Sequence, residues 1–232
     1  MKLVLVIALA VGVAACDDGD WALDTASDAA PDTSLVSKPA AGPDGGRLDR
    51  STVHIRAAGC DGSWTGSGFL VAGGVVVTNR HVVDGARSIT VTFHDGTHPS
   101  VARVERVSTA DIGLVTLGPG DRPYPLVLAA EPPEVGDTVS VRGYPLDAGL
   151  HREEGRVVGI DQSGGAAWPT LRMSAVVRPG SSGGPVTRAD GQVVGVVHAL
   201  ERAVDYSIAV PAAAVIEALA YPFLREPALG CE

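Results

Sequence analysis

From Asp49 onward, short apolar or alternating runs recur at intervals of roughly ten residues, and most are closed by a glycine or proline turn. They include Thr52–Ile55, Gly68–Val71, Gly74–Thr78, Ser88–Phe93, Val101–Val107 and Ile112–Leu117. A second series follows with Asp137–Arg142, Leu150–Ile160, Leu171–Met173, Pro185–Thr187, Gln192–His198 and Tyr206–Val210. Between them stand Ala72-Gly73-Gly74, Asp95-Gly96, Gly118-Pro119-Gly120, Gly164-Gly165 and Asp190-Gly191. Runs this short can bury one face each but cannot build long helices. The pattern therefore predicts an all-β sandwich or pair of barrels. Aromatics are only 4% of the chain while Val, Ala and Gly abound, which fits strands and tight turns. One helix is predicted, opened by Pro211 and running from Ala212 to Ala220. The Pro-rich stretch Arg122–Pro133 divides the pattern into two halves.

The segment before Asp49 has a different character. MKLVLVIALAVGVAAC carries Lys2, an apolar run from Leu3 to Val13, and small residues before Cys16. This is the pattern of an export signal (residues 1–16), and the run falls short of the ~20 residues that span a bilayer. Its Val-Ala-Ala-Cys ending resembles a bacterial lipobox, in which the cysteine becomes the lipidated first residue. The alternative is an ordinary signal cut elsewhere. Residues 17–48 hold Asp17, Asp18, Asp20, Asp24, Asp28, Asp32 and Asp44 against Lys38 and Arg47. Such a composition buries too little apolar area to offset its ordering entropy, so it is expected to be a disordered acidic linker. The folded domain is expected over 49–232. The net charge of -9 gives no footprint for nucleic acid.

The stretch Arg178-Pro179-Gly180-Ser181-Ser182-Gly183-Gly184-Pro185 sets a hydroxyl inside a glycine cage. Upstream lie Thr65-Gly66-Ser67-Gly68-Phe69, then Thr78-Asn79-Arg80-His81-Val82, then Ala110-Asp111-Ile112-Gly113-Leu114. A serine hydroxyl is a poor nucleophile unless a base takes its proton, and His81 is the candidate base. Asp111 is the candidate carboxylate to hold the imidazole. The glycines let the backbone N–H groups of Gly180 and Ser182 converge on one point, a candidate oxyanion hole.

In chain order and flanking residues this set resembles the trypsin-like, chymotrypsin-fold serine peptidases, and among them the bacterial HtrA/DegP-like and MarP-like branches. The resemblance covers residues 49–232. It implies two antiparallel six-stranded β-barrels with a short C-terminal helix, catalysis by His81, Asp111 and Ser182 through an acyl-enzyme, and protein or peptide substrates. Ser181 departs from the Asp that many animal digestive members carry before the nucleophile, so activation by a freshly cut N-terminus is not expected. Neither the PDZ module of HtrA-like members nor the membrane spans of MarP-like ones is expected. The resemblance places the specificity pocket near Val176 and Val177, with His198, Ala199 and Leu200 on a wall strand. That apolar lining implies cleavage after small or medium apolar residues, with Glu201 and Asp205 close enough in sequence to alter it.

With Cys16 lipidated, Cys60 and Cys231 form an even pair in an oxidising compartment, most simply a disulfide. The MarP-like branch has a similar pair. No C-x-x-C occurs, and His94 and His98 around Asp95-Gly96 read as a surface hairpin, so no metal or cofactor is expected. His54 and His151 are assigned no role. Asp84 sits in a turn, and Asp205 is the reserve carboxylate. Two other readings compete. One is a catalytically inactive binding lipoprotein on the same fold. The other is an α/β-hydrolase-type esterase, since Gly180-x-Ser182-x-Gly184 also fits a nucleophile elbow. The esterase reading needs a helix directly after Ser182, whereas the sequence there reads as a hairpin. The expected location is the bacterial cell envelope, lipid-anchored through Cys16 or secreted.

Overall fold

The computed structural model describes residues 45–120, 124–147, 149–162, 167–201, 206–228 and 230. The signal-like run, Cys16, the acidic stretch up to residue 44, Asp205 and Cys231 lie outside the described residues.

A short helix α1 (Gly45–Ser51) leads into β1 (Thr52–Gly59), β2 (Ser63–Val71) and β3 (Val75–Thr78). Then come α2 (Arg80–Val83), β4 (Ala86–Phe93), β5 (Val101–Val107) and β6 (Gly113–Leu117). The second half holds β7 (Thr138–Gly143), β8 (His151–Asp161), β9 (Thr170–Met173), β10 (Pro185–Arg188), β11 (Val193–Glu201) and β12 (Tyr206–Pro211). The chain closes with α3 (Ala212–Ala220) and β13 (Arg225–Pro227). Strands β7 to β12 form a closed six-stranded barrel in the order β10-β11-β12-β9-β8-β7. The first half is a curled seven-stranded sheet, β13-β5-β6-β3-β2-β1-β4. The seventh strand is β13, which returns from the C-terminus and pairs Arg225 with Val107 on the edge of β5. At three residues including a proline, it was too short to read as a strand. After Ser182 the chain enters a β10–β11 hairpin, not the helix an α/β-hydrolase elbow requires.

Three apolar clusters hold this together. One, with Ile55, Leu70, Val76 and Val115, fills the concave side of the first sheet. Another, with Val141, Val157, Met173 and Val197, fills the second barrel. The third joins Phe69, Val71 and Val77 of the first half to Val193, Val196 and Val215 of the second. Because side chains alternate along a strand, β2 sends Leu70 into the first sheet and Phe69 and Val71 into the seam. Burial on both faces is why β2 and β3 contain unbroken apolar runs, FLV and VVV. The connecting stretch is stitched to both halves: Leu126 N–H donates to Leu70 O at 2.8 Å, and Ala129 N–H to Val193 O at 2.8 Å. Among the described residues no helix is long and apolar enough to cross a membrane.

One polar strap crosses the seam. Asp49 of α1 accepts from Arg142 Nε of β7 at 3.1 Å and from Arg152 Nε of β8 at 2.8 Å. The Asp49 and Arg142 side chains are each only 8% exposed. Burial pushes the Asp49 carboxyl up, but hydrogen bonds and attraction from both guanidiniums outweigh it, for a net fall below the ordinary carboxylate value. A depressed folded-state value means the pair's stabilisation is present above the unfolded value near ~4 and is lost as pH falls through the folded one. Replacing Asp49 by Asn strands a buried cation and should cost about 3 kcal/mol at pH 7. In urea unfolding the gap from the parent chain should stay constant down to about pH 4 and shrink below it.

Candidate active site

The loops carrying His81, Asp111 and Ser182 meet at the seam. Strand β3 ends at Thr78, and Asn79 in extended conformation starts the single turn of α2. The first N–H groups of a helix have no partner within it. Asp111 supplies one: its Oδ1 accepts the His81 backbone N–H at 3.0 Å, while its Oδ2 accepts His81 Nδ1 at 2.9 Å. The Asn79 side-chain amide donates to the Asp111 carbonyl at 3.0 Å. One carboxylate thus fixes both the main chain and the ring of His81. An ionised carboxylate can only accept, so the ring carries its proton on Nδ1 and leaves Nε2 as the acceptor.

The Ser182 loop follows from its own residues. Arg178-Pro179-Gly180-Ser181 has proline and then glycine at the two central positions, the type II turn signature. Gly180 has φ +95°, and Ser181 N–H closes the turn on Arg178 O at 2.9 Å. Gly183 N–H donates to Val197 O at 2.8 Å and Gly184 N–H to Ser181 O at 3.0 Å. Among the described residues the N–H groups of Gly180 and Ser182 have no acceptor. The first half grips this loop through Ser67. Its N–H donates to Ser182 O at 2.7 Å, its hydroxyl donates to Gly180 O at 2.7 Å, and that hydroxyl accepts from Tyr144 N–H at 2.8 Å. Ser67 stood in the Gly-Ser-Gly-Phe motif with no role assigned, because nothing local to it points toward residues more than a hundred positions away.

His198 on β11 adds an interaction that sequence reasoning missed. Its Nδ1 lies 2.5 Å from Asp111 Oδ2, the atom that also takes His81. The two imidazole centroids are 5.7 Å apart, edge to face. The Ser182 hydroxyl donates to the His198 carbonyl at 3.2 Å, and among the described residues that is its one partner. Burial pushes the Asp111 carboxyl up, but hydrogen bonds from His198 and His81 hold it well below the usual carboxylate range. The hydrogen bond to Asp111 raises His198 in turn, against its partial burial.

Of the other sequence-predicted residues, Val176 is half exposed, whereas Val177 is buried in the second barrel's core, its N–H on Ser207 Oγ at 3.1 Å. Ala199 and Leu200 continue β11, but their side chains lie outside the described residues. Asp84 is engaged away from the site, by Arg106 at 2.7 Å and Arg80 at 3.3 Å. His54 stacks on Tyr144, His151 pairs with Glu153 at 2.8 Å, and His98 bonds Thr92 at 3.0 Å.

A two-halved β fold with a histidine, an aspartate and a glycine-caged serine at its seam is the architecture of the trypsin-like peptidases. The chain belongs to that family: the trypsin-like peptidase domain model matches residues 66–196. Serine protease Rv3671c of Mycobacterium tuberculosis is 36% identical over 182 residues, which is 73% of this chain and 44% of that protein. The crystal structure of its protease in the active form superposes with a TM-score of 0.71 at 29% identity, covering 87% of this chain and 92% of that one. The Do-like HtrA serine protease of Bacillus subtilis is 30% identical over 132 residues, 52% of this chain and 29% of that protein. The chain thus spans less than half the length of these relatives.

Gly183 tests how tightly the loop is held. It has φ +88°, and a Cβ there would lie 2.1 Å from Ser67 O and 2.3 Å from Thr78 Oγ1. Gly183→Ala should therefore destabilise by about 4 kcal/mol. A melting scan should show a fall of roughly 10 °C. A change of under a few degrees would mean that the loop yields.

Proposed function

We propose that the chain is a serine endopeptidase in which Ser182 attacks the scissile carbonyl, His81 is general base and then general acid, and Asp111 orients and stabilises the imidazolium. The observation that carries this is the Asp111 carboxylate, which bridges the main chain and Nδ1 of His81 and leaves Nε2 open. Catalysis requires the Ser182 hydroxyl to turn from the His198 carbonyl to His81 Nε2. Such hydrogen bonds tighten when substrate arrives. The serine proton passes to Nε2, the oxygen bonds to carbonyl carbon, and the oxyanion is held by the Gly180 and Ser182 N–H groups. His81 returns the proton to the leaving amine, and water repeats the sequence on the acyl-enzyme. Removing one such oxyanion donor costs on the order of a hundredfold in rate.

Casein hydrolysis and fluorophosphonate labelling test this. Ser182→Ala should abolish labelling and reduce hydrolysis by about four orders of magnitude or more. Equal labelling of both proteins would instead support an inactive binding domain, the reading that the Ser182–His198 contact favours.

Apolar specificity is the companion proposal. The half-exposed Val176 supports it, while Val177 is buried in the barrel core and takes no part in the proposed contact. A Lys or Arg side chain would be desolvated without a partner. On a peptide library, Val, Ala and Leu before the scissile bond should outpace Arg and Lys by more than about tenfold. Dominant cleavage after Arg or Lys would reassign the pocket.

We further propose a Cys60–Cys231 disulfide and a lipid anchor on Cys16 in the bacterial cell envelope. Cys60 is disulfide-bonded, and Gly230, the neighbour of Cys231, donates to Ala86 O at 2.8 Å, directly across the ladder from Gly59. Intact mass of the exported protein should show acyl chains on Cys16 and the loss of two hydrogens. Cys16→Ser should release it from membranes. An unlipidated parent chain, or free thiols at Cys60 and Cys231, would overturn the corresponding proposal.

A further inference from the structure

Among the described residues one group of three metal-ligating side chains converges: His81, Asp111 and His198, whose donor atoms all lie within 4.8 Å of one another. We propose that this trio binds a divalent transition-metal ion of the zinc type, and that the bound ion switches the peptidase off. The switching half of this proposal rests on the peptidase reading above; the binding half does not.

The donor set is two imidazole nitrogens and one carboxylate oxygen. That combination suits zinc and its transition-metal neighbours and does not suit magnesium or calcium, which take oxygen ligands. The three groups already share a focus. Both imidazoles turn Nδ1 to the same Asp111 Oδ2, at 2.9 Å and 2.5 Å. Asp111 Oδ1 is held by the His81 main-chain N–H, so Oδ2 is the oxygen left for an ion. Around tetrahedral zinc, ligands about 2.0–2.1 Å from the metal stand about 3.3 Å apart. The two His–Asp pairs need to spread by less than about 1 Å to admit the ion, and the two imidazole nitrogens already stand within 4.8 Å of each other. The side chains of His81 and His198 are 48% and 40% exposed, so both rings have space to move outward and the ion has a path from solvent. Three protein ligands leave a fourth position for water, as in open zinc sites.

Inhibition follows from the tautomer. For catalysis His81 carries its proton on Nδ1 and accepts the serine proton at Nε2. To ligate a metal through Nδ1, it must carry the proton on Nε2 instead, and the basic lone pair is gone. The ion also takes the Asp111 charge that would stabilise an imidazolium. His198 plays no direct part in this proton transfer; it is the third ligand. Its distance of 87 positions from Asp111 hid the cluster from the sequence, which led to the expectation of no metal.

The Ser182→Ala chain, titrated with zinc chloride alone in a calorimeter, should bind one ion per chain. Cobalt should report the same site by its visible absorption. Adding His198→Ala should weaken binding by at least about tenfold. Asp111→Asn, which keeps the side-chain shape, is the second variant should His198→Ala not fold. In the parent chain, zinc should stop casein hydrolysis, a chelator should restore it, and magnesium should do neither. Undetectable zinc binding to Ser182→Ala would overturn the proposal, as would equal affinity after loss of His198 or Asp111. Binding that leaves hydrolysis untouched would overturn the switch. If the peptidase reading itself fails, the parent chain cuts nothing with or without zinc, while the calorimetry still reads the site.

Discussion

The Asp111 carboxylate is where fold and chemistry become one problem. It supplies the partner that a one-turn helix lacks at its start, and with the same group it fixes the ring on that helix. Neither task can be moved without the other. Because Asp111 is partly buried among hydrogen-bond donors, it stays ionised, and an ionised acceptor dictates the tautomer of each imidazole facing it. The hydrophobic seam holds the carboxylate opposite the helix, with Phe69, Val77 and Ile112 of the first half packed against Val193 and Val196 of the second.

The parts legible in the sequence were those whose physics is local. A proline followed by glycine specifies its own turn, and Gly180 adopts the positive φ such a turn needs. Pro211 and the apolar spacing after it specified α3 to the residue, Ala212–Ala220. The His81 and Asp111 motifs were legible because each sits at the end of a short apolar strand. The rest was set by partners far away in the chain. Leu48 looked like part of a polar linker but is buried in the seam, where Asp49 beside it meets Arg142 and Arg152. The edge strand β13 is defined by β5, not by its own composition. His198 reads as one more residue of a wall strand until the fold places Asp111 beside it.

The composition of the two halves follows from the same division. Strands β2 and β3 and the start of β11 carry apolar residues on both faces because they stand between two cores. Strand β8 has one face on solvent and alternates exposed with less exposed positions: Arg152, Glu154 and Arg156 are exposed, Glu153 between them is half-buried, and Val157 is buried. Among the described residues the buried ion pair of Asp49 and Arg142 lies where α1 meets the second barrel, so the segment entering the fold is tied down by ionic contacts as well as by packing.

The grip of Ser67 on the Ser182 loop carries a consequence for the life of the protein. The loop belongs to the second half, yet its shape is braced by two hydrogen bonds from a residue of the first, whose hydroxyl also accepts the Tyr144 N–H. A chain with only one half assembled has either the serine without its brace or the brace without its serine. The braced shape of the loop therefore requires the docking of the two halves.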